Sequence, residues 1–147
     1  MGMYTELILG CALSRDLPDV CEQALDKVIN NVEPDEEDAE EVKKFIQDYS
    51  LEYLFHCGSY YFGVNWSPPM FRFDEIGKDW RISSRANLKN YGSEIEKFLK
   101  YLRPYVKQGS GYSHGIWAYV QYEESPLPTL YGVDGIINIT DFTVTAY

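Results

Sequence analysis

The stretch MFRFDEIGKDWRISSRAN, residues 70–87, decides the fold. Two runs of alternating apolar and polar residues flank Gly77-Lys78, a pair that suits a two-residue hairpin turn with glycine first. That turn predicts three cross-strand pairs: Asp74 with Arg81, Phe73 with Ile82, and Arg72 with Ser83. We therefore interpret the stretch as a β-hairpin at the centre of a sheet.

Alternation along the hairpin sorts its side chains onto two faces, because successive residues of a strand point to opposite sides. The apolar face is predicted to join the core and carries Phe71, Phe73, Trp80 and Ile82. The polar face carries Arg72, Asp74, Arg81, Ser83 and Arg85. We expect this second face to be exposed or to form a binding surface.

Outward from the hairpin, residues 3–13 alternate as a strand, and Pro18 suits the first turn of a helix that runs to about Asn31. A second helix is predicted around Val42 and Ile46. The sequence predicts further strands over residues 51–57, 59–66, 115–124, 129–133 and in the tail from 136. Residues 93–106 have helical spacing, and Pro104 should end the regular helix near Leu102.

Strands therefore cluster between helices instead of alternating with them. The strand over residues 59–66 should form an antiparallel meander with the two hairpin strands. This order favours an α+β fold. We expect a largely antiparallel sheet of about six to eight strands, covered by two or three helices. One two-layer domain should span residues 1–147, since 45% hydrophobic residues suffice for a single core.

The net charge of −10 is unevenly distributed. Residues 1–64 hold fourteen acidic and four basic side chains, whereas residues 66–108 hold nine basic and five acidic ones. An acidic chain is repelled by nucleic acid and by anionic membranes, so we expect direct binding to neither. The basic segment could still hold a phosphate-bearing small ligand.

The three cysteines are odd in number and lack CxxC spacing, and the first residues lack the pattern of a signal peptide. No apolar run reaches the ~20 residues that span a bilayer. These features predict a cytoplasmic protein with reduced thiols.

Catalytic, metal-binding and cofactor-binding motifs are not found in the sequence. On a strand, His56 and Cys57 would point to opposite faces, so they could not form a dyad with each other. The histidines and cysteines have no metal-ligand spacing. The glycine-rich residues 109–111 follow a helix, whereas phosphate loops precede one. We therefore expect no catalytic residue, metal or cofactor.

Arginines on the polar face of the hairpin form the first candidate site. Guanidinium groups beside aromatic rings can hold planar anionic ligands. The predicted ligand-binding residues are Arg72, Asp74, Arg81, Arg85 and Tyr61. The alternative is a solvated strand face held together by cross-strand ion pairs.

Residues 33–41 form the second candidate site, because seven of these nine residues are acidic. Such a surface could imitate phosphates and bind a protein with a basic surface. The predicted partner-binding residues are Glu36, Glu37, Asp38, Glu40 and Glu41. The alternative is a solvated helix start whose charges complement the helix dipole.

Several stretches resemble a small, poorly characterised protein family of bacteriophages and prophages: MYTELILGCAL (3–13), SYYFGVNWSPP (59–69), SSRANLKNYGSEIEKFL (83–99), SGYSHGIWAYVQYEE (110–124) and PTLY (128–131). The resemblance covers most of the chain and brings no functional motif. It implies an accessory phage protein, a class rich in compact acidic proteins that antagonise host defence.

The functional hypothesis is a non-catalytic, phage-type counter-defence factor. It would act by occupying a host protein with a basic surface or by sequestering a small anionic, nucleotide-like ligand. One alternative is an immunity protein that neutralises a toxin. Another is a cytosolic enzyme of unrecognised type, using His56, Cys57, His114, Asp74 or Glu75. Edge strands near the C terminus would allow a homodimer.

Overall fold

The computed structural model describes residues 4–56, 68–107 and 115–147. Within these ranges the fold is α+β, as the sequence predicts: seven strands form one antiparallel sheet, and four α-helices accompany it. The strands are β1 (Thr5–Leu13), β2 (Met70–Asp74), β3 (Asp79–Leu88), β4 (Ile116–Tyr122), β5 (Thr129–Gly132), β6 (Gly135–Ile137) and β7 (Val144–Ala146). The helices are α1 (Asp19–Asn30), α2 (Ala39–Asp48), α3 (Leu51–His56) and α4 (Glu94–Leu102).

The order of the described strands across the sheet is β2-β3-β1-β4-β5-β6-β7. The predicted hairpin is present as β2 and β3, but it lies at one side of the sheet and not at its centre. Strand β1 takes the interior position, because β3 pairs with its whole length and β4 with its first half. The tail forms β6 and β7, and β7 is the outermost described strand at the far side.

The hydrophobic core lies between the helices and the sheet face that carries Leu7, Leu9 and Ile82. Apolar residues of all four helices enter this core. Its largest fully buried side chains are Trp117, Phe71, Phe98, Leu7, Leu9, Leu13, Leu25, Leu51, Leu54, Ile82, Ile95 and Leu99. No helix in the described part of the chain is long and apolar enough to cross a membrane.

Helix α4 begins and ends where its sequence indicates. The Asn90 side chain accepts a hydrogen bond from the backbone N–H of Ile95 at 2.9 Å, which satisfies a donor of the first turn. The regular helix ends at Leu102, and Pro104 lies in the short 3₁₀ turn Arg103–Tyr105. The prediction for the proline is confirmed.

The strand predicted for residues 51–57 is wrong, because residues 51–56 form helix α3. Leu51, Leu54 and Phe55 are buried, and their spacing of three and four residues places them on one helix face. A short apolar run fits both periods, so tertiary packing decided between them. His56 ends helix α3, so the strand geometry used to exclude a His56–Cys57 dyad does not apply. Cys57, the predicted strand 59–66 and residues 109–111 lie outside the described residues.

The hairpin register also differs from the predicted one. Arg72 lies opposite Arg81 and Phe73 opposite Trp80, and the connection contains four residues, 75–78. The observed pairing is offset by two residues from the predicted pairing, and an even offset keeps every side chain on the same face of the sheet. Apolar and polar faces are therefore as predicted, but the cross-strand partners are not. Lys78 closes the longer loop in the left-handed conformation, with φ 54°.

We predict that Lys78→Gly stabilises the protein by up to about 1 kcal/mol, because a non-glycine residue in the left-handed region is strained. Glu75→Gly is the matched control, since Glu75 has no positive φ and both changes remove the same exposed Lys78–Glu75 ion pair. The control should lose about 0.5–1 kcal/mol. Denaturant unfolding measures both, and equal losses would contradict the four-residue loop.

Candidate functional site

Four charged side chains lie on the face of the β2–β3 hairpin that points away from the helices. The register places Arg72 directly opposite Arg81, and Asp74 directly opposite Asp79. Like charges in opposed positions of an antiparallel pair destabilise a sheet. The hairpin therefore needs other partners for these charges.

Asp79 is the buried member of this group, with a side chain only 3% exposed. Its Oδ1 accepts a hydrogen bond from Arg81 Nε at 2.9 Å, and its Oδ2 accepts one from Lys107 Nζ at 2.9 Å. Lys107 lies in the segment that follows α4, and its backbone N–H donates to the carbonyl of Ala12 in β1 at 3.0 Å. The carboxylate thus joins the hairpin to the segment that follows α4.

The pKa of Asp79 is lowered from its usual range. Burial alone would raise the pKa by penalising the charged form, but the hydrogen bonds and positive charges of Lys107 and Arg81 outweigh it. Neither Asp79 nor Lys107 is among the binding residues predicted from the sequence. Their contact joins residues 28 positions apart, so no local pattern indicates it.

Arg81 also reaches the hairpin loop, because its Nη2 lies 3.2 Å from Asp74 Oδ2. Asp74 Oδ1 accepts a hydrogen bond from the backbone N–H of Ile76 at 3.1 Å. Gly77 lies against this cluster: a Cβ there would stand 2.9 Å from Asp74 Oδ2 and 3.0 Å from Arg81 Nη2. A side chain at this position would therefore push the ends of Asp74 and Arg81 aside. Arg81 is held between two carboxylates.

Arg72 is exposed and makes no ion pair with any residue in the described ranges. It lines an open pocket of about 470 Å³ together with Met70, Phe73, Asp74, Glu75 and Arg81. Three of the predicted ligand-binding residues, Arg72, Asp74 and Arg81, thus surround one pocket.

The two other predicted members of the site are not part of this pocket's described lining. Arg85 lies further along β3, where its Nε is 2.8 Å from Glu6 Oε1. Asn87 donates to Glu6 Oε2 at 3.0 Å, so Glu6 is hydrogen-bonded to both residues. Tyr61 lies outside the described residues.

The acidic residues 36–41 form a 3₁₀ turn, Glu36–Asp38, and the first turn of α2. Glu36, Glu37, Glu40 and Glu41 are exposed. Asp38 is half-buried and accepts a hydrogen bond from Gln23 Nε2 at 3.1 Å. The exposed four can meet a partner, whereas Asp38 helps to fix the turn against α1.

The residues considered for enzyme chemistry do not assemble in the described part of the chain. His56 is exposed at the end of α3, and His114 and Cys57 fall outside the described ranges. Cys11 and Cys21 are buried, which raises the pKa of the Cys11 thiol to about 12 and also raises that of Cys21. No group of three potential metal ligands occurs among the described residues.

Comparison with protein-family models, curated proteins and solved structures finds no match for this chain. The pocket beside Arg72 is therefore interpreted from its own geometry and charges.

We predict that Asp79→Asn costs about 1.5–3 kcal/mol at neutral pH, the usual loss when hydrogen bonds to a charged group are removed. Because the folded-state pKa of Asp79 is lowered, its contribution is complete above the ordinary value of 3.8 and is lost as the pH falls through the lowered value. The stability gap between wild type and variant should therefore shrink in acid.

Denaturant unfolding at pH values from about 7 down to about 2.5 measures that gap, because the contribution disappears below both pKa values. Asp35→Asn is the matched control, because it removes an exposed carboxylate that forms no ion pair with any described residue. A gap for Asp79→Asn that stays constant with pH would contradict an ionised, hydrogen-bonded Asp79.

We also predict that Arg72→Gln raises stability by about 0.2–1 kcal/mol, because it relieves the opposition to Arg81. The gain should decrease as salt screens the repulsion. Arg15→Gln, in the exposed turn between β1 and α1, should have little effect at any salt concentration. A loss of stability in Arg72→Gln at low salt would mean that the Arg72 charge stabilises the fold.

Proposed function

We propose that this chain is a non-catalytic binding protein that holds a small anionic, nucleotide-like ligand in the pocket between Arg72 and Arg81. It would act by sequestering that ligand. The observation that carries the proposal is the exposed Arg72 guanidinium, directly opposite a second arginine and without a carboxylate partner in the described ranges. A ligand anion would supply the missing negative charge.

The local charges support an anion. Around the pocket and its supporting cluster lie the cations Arg72, Lys78, Arg81 and Lys107 and the carboxylates Asp74, Glu75 and Asp79. Each carboxylate has a cation: Asp74 and Asp79 contact Arg81, and Glu75 contacts Lys78 at 3.4 Å. One positive charge therefore remains, in a chain whose net charge is −10. The Arg72 guanidinium, unpaired among the described residues, is available to an anionic ligand.

The pocket's size and lining support a small planar ligand. A volume of about 470 Å³ falls within the usual range for small-molecule sites. Guanidinium groups match carboxylate and phosphate oxygens through paired hydrogen bonds. Met70 and Phe73 add apolar surface to the lining. A phosphate or carboxylate attached to a flat ring would use both kinds of contact.

The arrangement favours holding a ligand over transforming it. Arg81 is fixed by Asp74 and Asp79, so its remaining donors are already oriented before a ligand arrives. Asp79 stays ionised at neutral pH because its pKa is lowered, and both of its oxygens are occupied by cations. It is therefore poorly suited to carry a proton, and its role in the proposal is to position Arg81.

The biological setting remains the one that the sequence predicts. The resemblance to accessory phage proteins favours a ligand that belongs to the host, such as a nucleotide signal. Binding in an open pocket would lower the free concentration of that ligand without chemistry, which is the occupancy mechanism expected for a counter-defence factor.

Titration with inorganic phosphate, ADP and cyclic AMP tests the proposal by melting temperature and calorimetry, because a ligand that binds the folded state raises its stability. We expect at least one of these probes to raise the melting temperature. Arg72→Gln should weaken its binding about tenfold or more, the usual cost of losing hydrogen bonds between charged groups. Arg15→Gln should retain wild-type affinity.

Two outcomes would overturn the proposal. One is that none of the three probes shifts the melting temperature at ~1 mM, the weak end of specific recognition. The other is that Arg72→Gln and Arg15→Gln bind equally well, which would place the ligand outside the Arg72 pocket.

A further inference from the structure

A second concave surface lies among the helices, on different elements from the Arg72 pocket. Its volume is about 600 Å³, and it is lined by the end of α1, by residues 33 and 34, by α2 and by residues 50–53. Its apolar lining comes from Pro34, Ala39, Ile46 and Tyr53. We call this surface the helical groove.

The apolar lining is only partly covered. Ile46 is 9% exposed and belongs to the hydrophobic core, so this part of the groove is held by the packing of α2. Tyr53 is 63% exposed, because it lies on the outer side of α3 while Leu54 and Phe55 enter the core. The exposed Tyr53 ring beside the packed Ile46 side chain is the kind of lining that pockets for one bulky side chain have.

The charges around the helical groove are strongly negative. Residues 33–52 contain nine carboxylates and two lysines. Glu40 and Glu52 line the groove and are exposed, and Glu36, Glu37 and Glu41 are exposed on the adjoining turn and helix. Among the lining residues themselves, Lys27 and Glu33 form an ion pair at 3.0 Å, which leaves Glu40 and Glu52 with Lys43. The field around the groove therefore attracts cations.

We propose that the helical groove docks a basic polypeptide segment that inserts one large apolar side chain against Ile46 and Tyr53. Lysine or arginine side chains of that segment would contact Glu40, Glu52 and the neighbouring carboxylates. Charge complementarity selects the basic partner, and the apolar lining supplies the contact that a purely electrostatic surface lacks. The acidic run is then the rim of a site and not a solvated surface alone.

This inference goes beyond the proposed function and does not depend on it. The two surfaces have no lining residue in common. Loss of anion binding in Arg72→Gln would leave the helical groove unchanged, so the two proposals can fail separately.

Fluorescence anisotropy with two labelled peptides tests the helical groove in the full chain. The first peptide alternates arginine and glycine around one central tryptophan, and the second replaces that tryptophan by glycine. We expect the tryptophan peptide to bind more tightly, and Tyr53→Ser to weaken its binding about tenfold, as truncation of a central aromatic contact usually does. Tyr91→Ser removes another exposed tyrosine and should bind normally.

Charge reversal tests the rim. Glu40→Lys and Glu124→Lys change the net charge by the same amount, and both residues are exposed. General attraction to the acidic chain would weaken equally in the two variants, whereas the proposal expects a clearly larger loss, about fivefold or more, in Glu40→Lys. Circular dichroism of each variant verifies that it is folded.

Three results would overturn the proposal. The first is no binding of the tryptophan peptide up to about 1 mM. The second is equal affinity for both peptides together with equal losses in Glu40→Lys and Glu124→Lys, which would indicate charge attraction alone. The third is a dimer, seen by sedimentation, that Tyr53→Ser dissociates, because a second copy would then occupy the groove.

Discussion

The buried carboxylate of Asp79 is the constraint on which the hairpin and its pocket depend. A charge with so little exposure is stable only when partners replace the water that it has lost. Arg81 and Lys107 provide them, one from the same strand and one from the segment that follows α4. Backbone hydrogen bonds hold the segment after α4 beside the end of β1, where residues 105 and 107 pair with Ser14 and Ala12, and this pairing places Lys107 near Asp79. The Asp79 carboxylate therefore joins the hairpin to the segment that follows α4.

The same group determines the character of the pocket. Arg81 is shared between Asp74 and Asp79, so its positive charge is already compensated within the hairpin, while its remaining N–H donors stay oriented. Arg72, directly across the ladder, is left with its charge and with a like charge opposite. In a purely structural hairpin, an uncharged residue would serve better at that position. Proteins commonly accept such local costs where a ligand is bound, and this is the physical basis of the binding site that we propose at Arg72.

The distribution of charge gives the two proposed surfaces different partners. The hairpin pocket keeps one excess cation in an acidic chain, whereas most of the residues that line the helical groove belong to the acidic stretch 33–52. These surfaces are built on different elements: the pocket on β2, β3 and the loop between them, and the groove mainly on α1, α2 and α3. Exposed Tyr53 and exposed Arg72 each line a concavity. Together they support a protein that works by binding.

The sequence by itself determined the α+β class, the strand at residues 5–13, helices α1, α2 and α4, and the sorting of the hairpin's rings and guanidinium groups onto opposite faces. These features depend on period and on local signals such as Pro104, which act within a few residues. Tertiary structure alone decided that residues 51–56 are helical, that β1 and not the hairpin is interior, and that Arg72 faces Arg81. It also decided that Asp79 and Lys107 meet. The physical reasons differ. A short apolar run fits both the helical and the strand period, and a register shift of two residues leaves every side chain on the same face of the sheet. Ion pairs between distant segments leave no periodic pattern in the sequence.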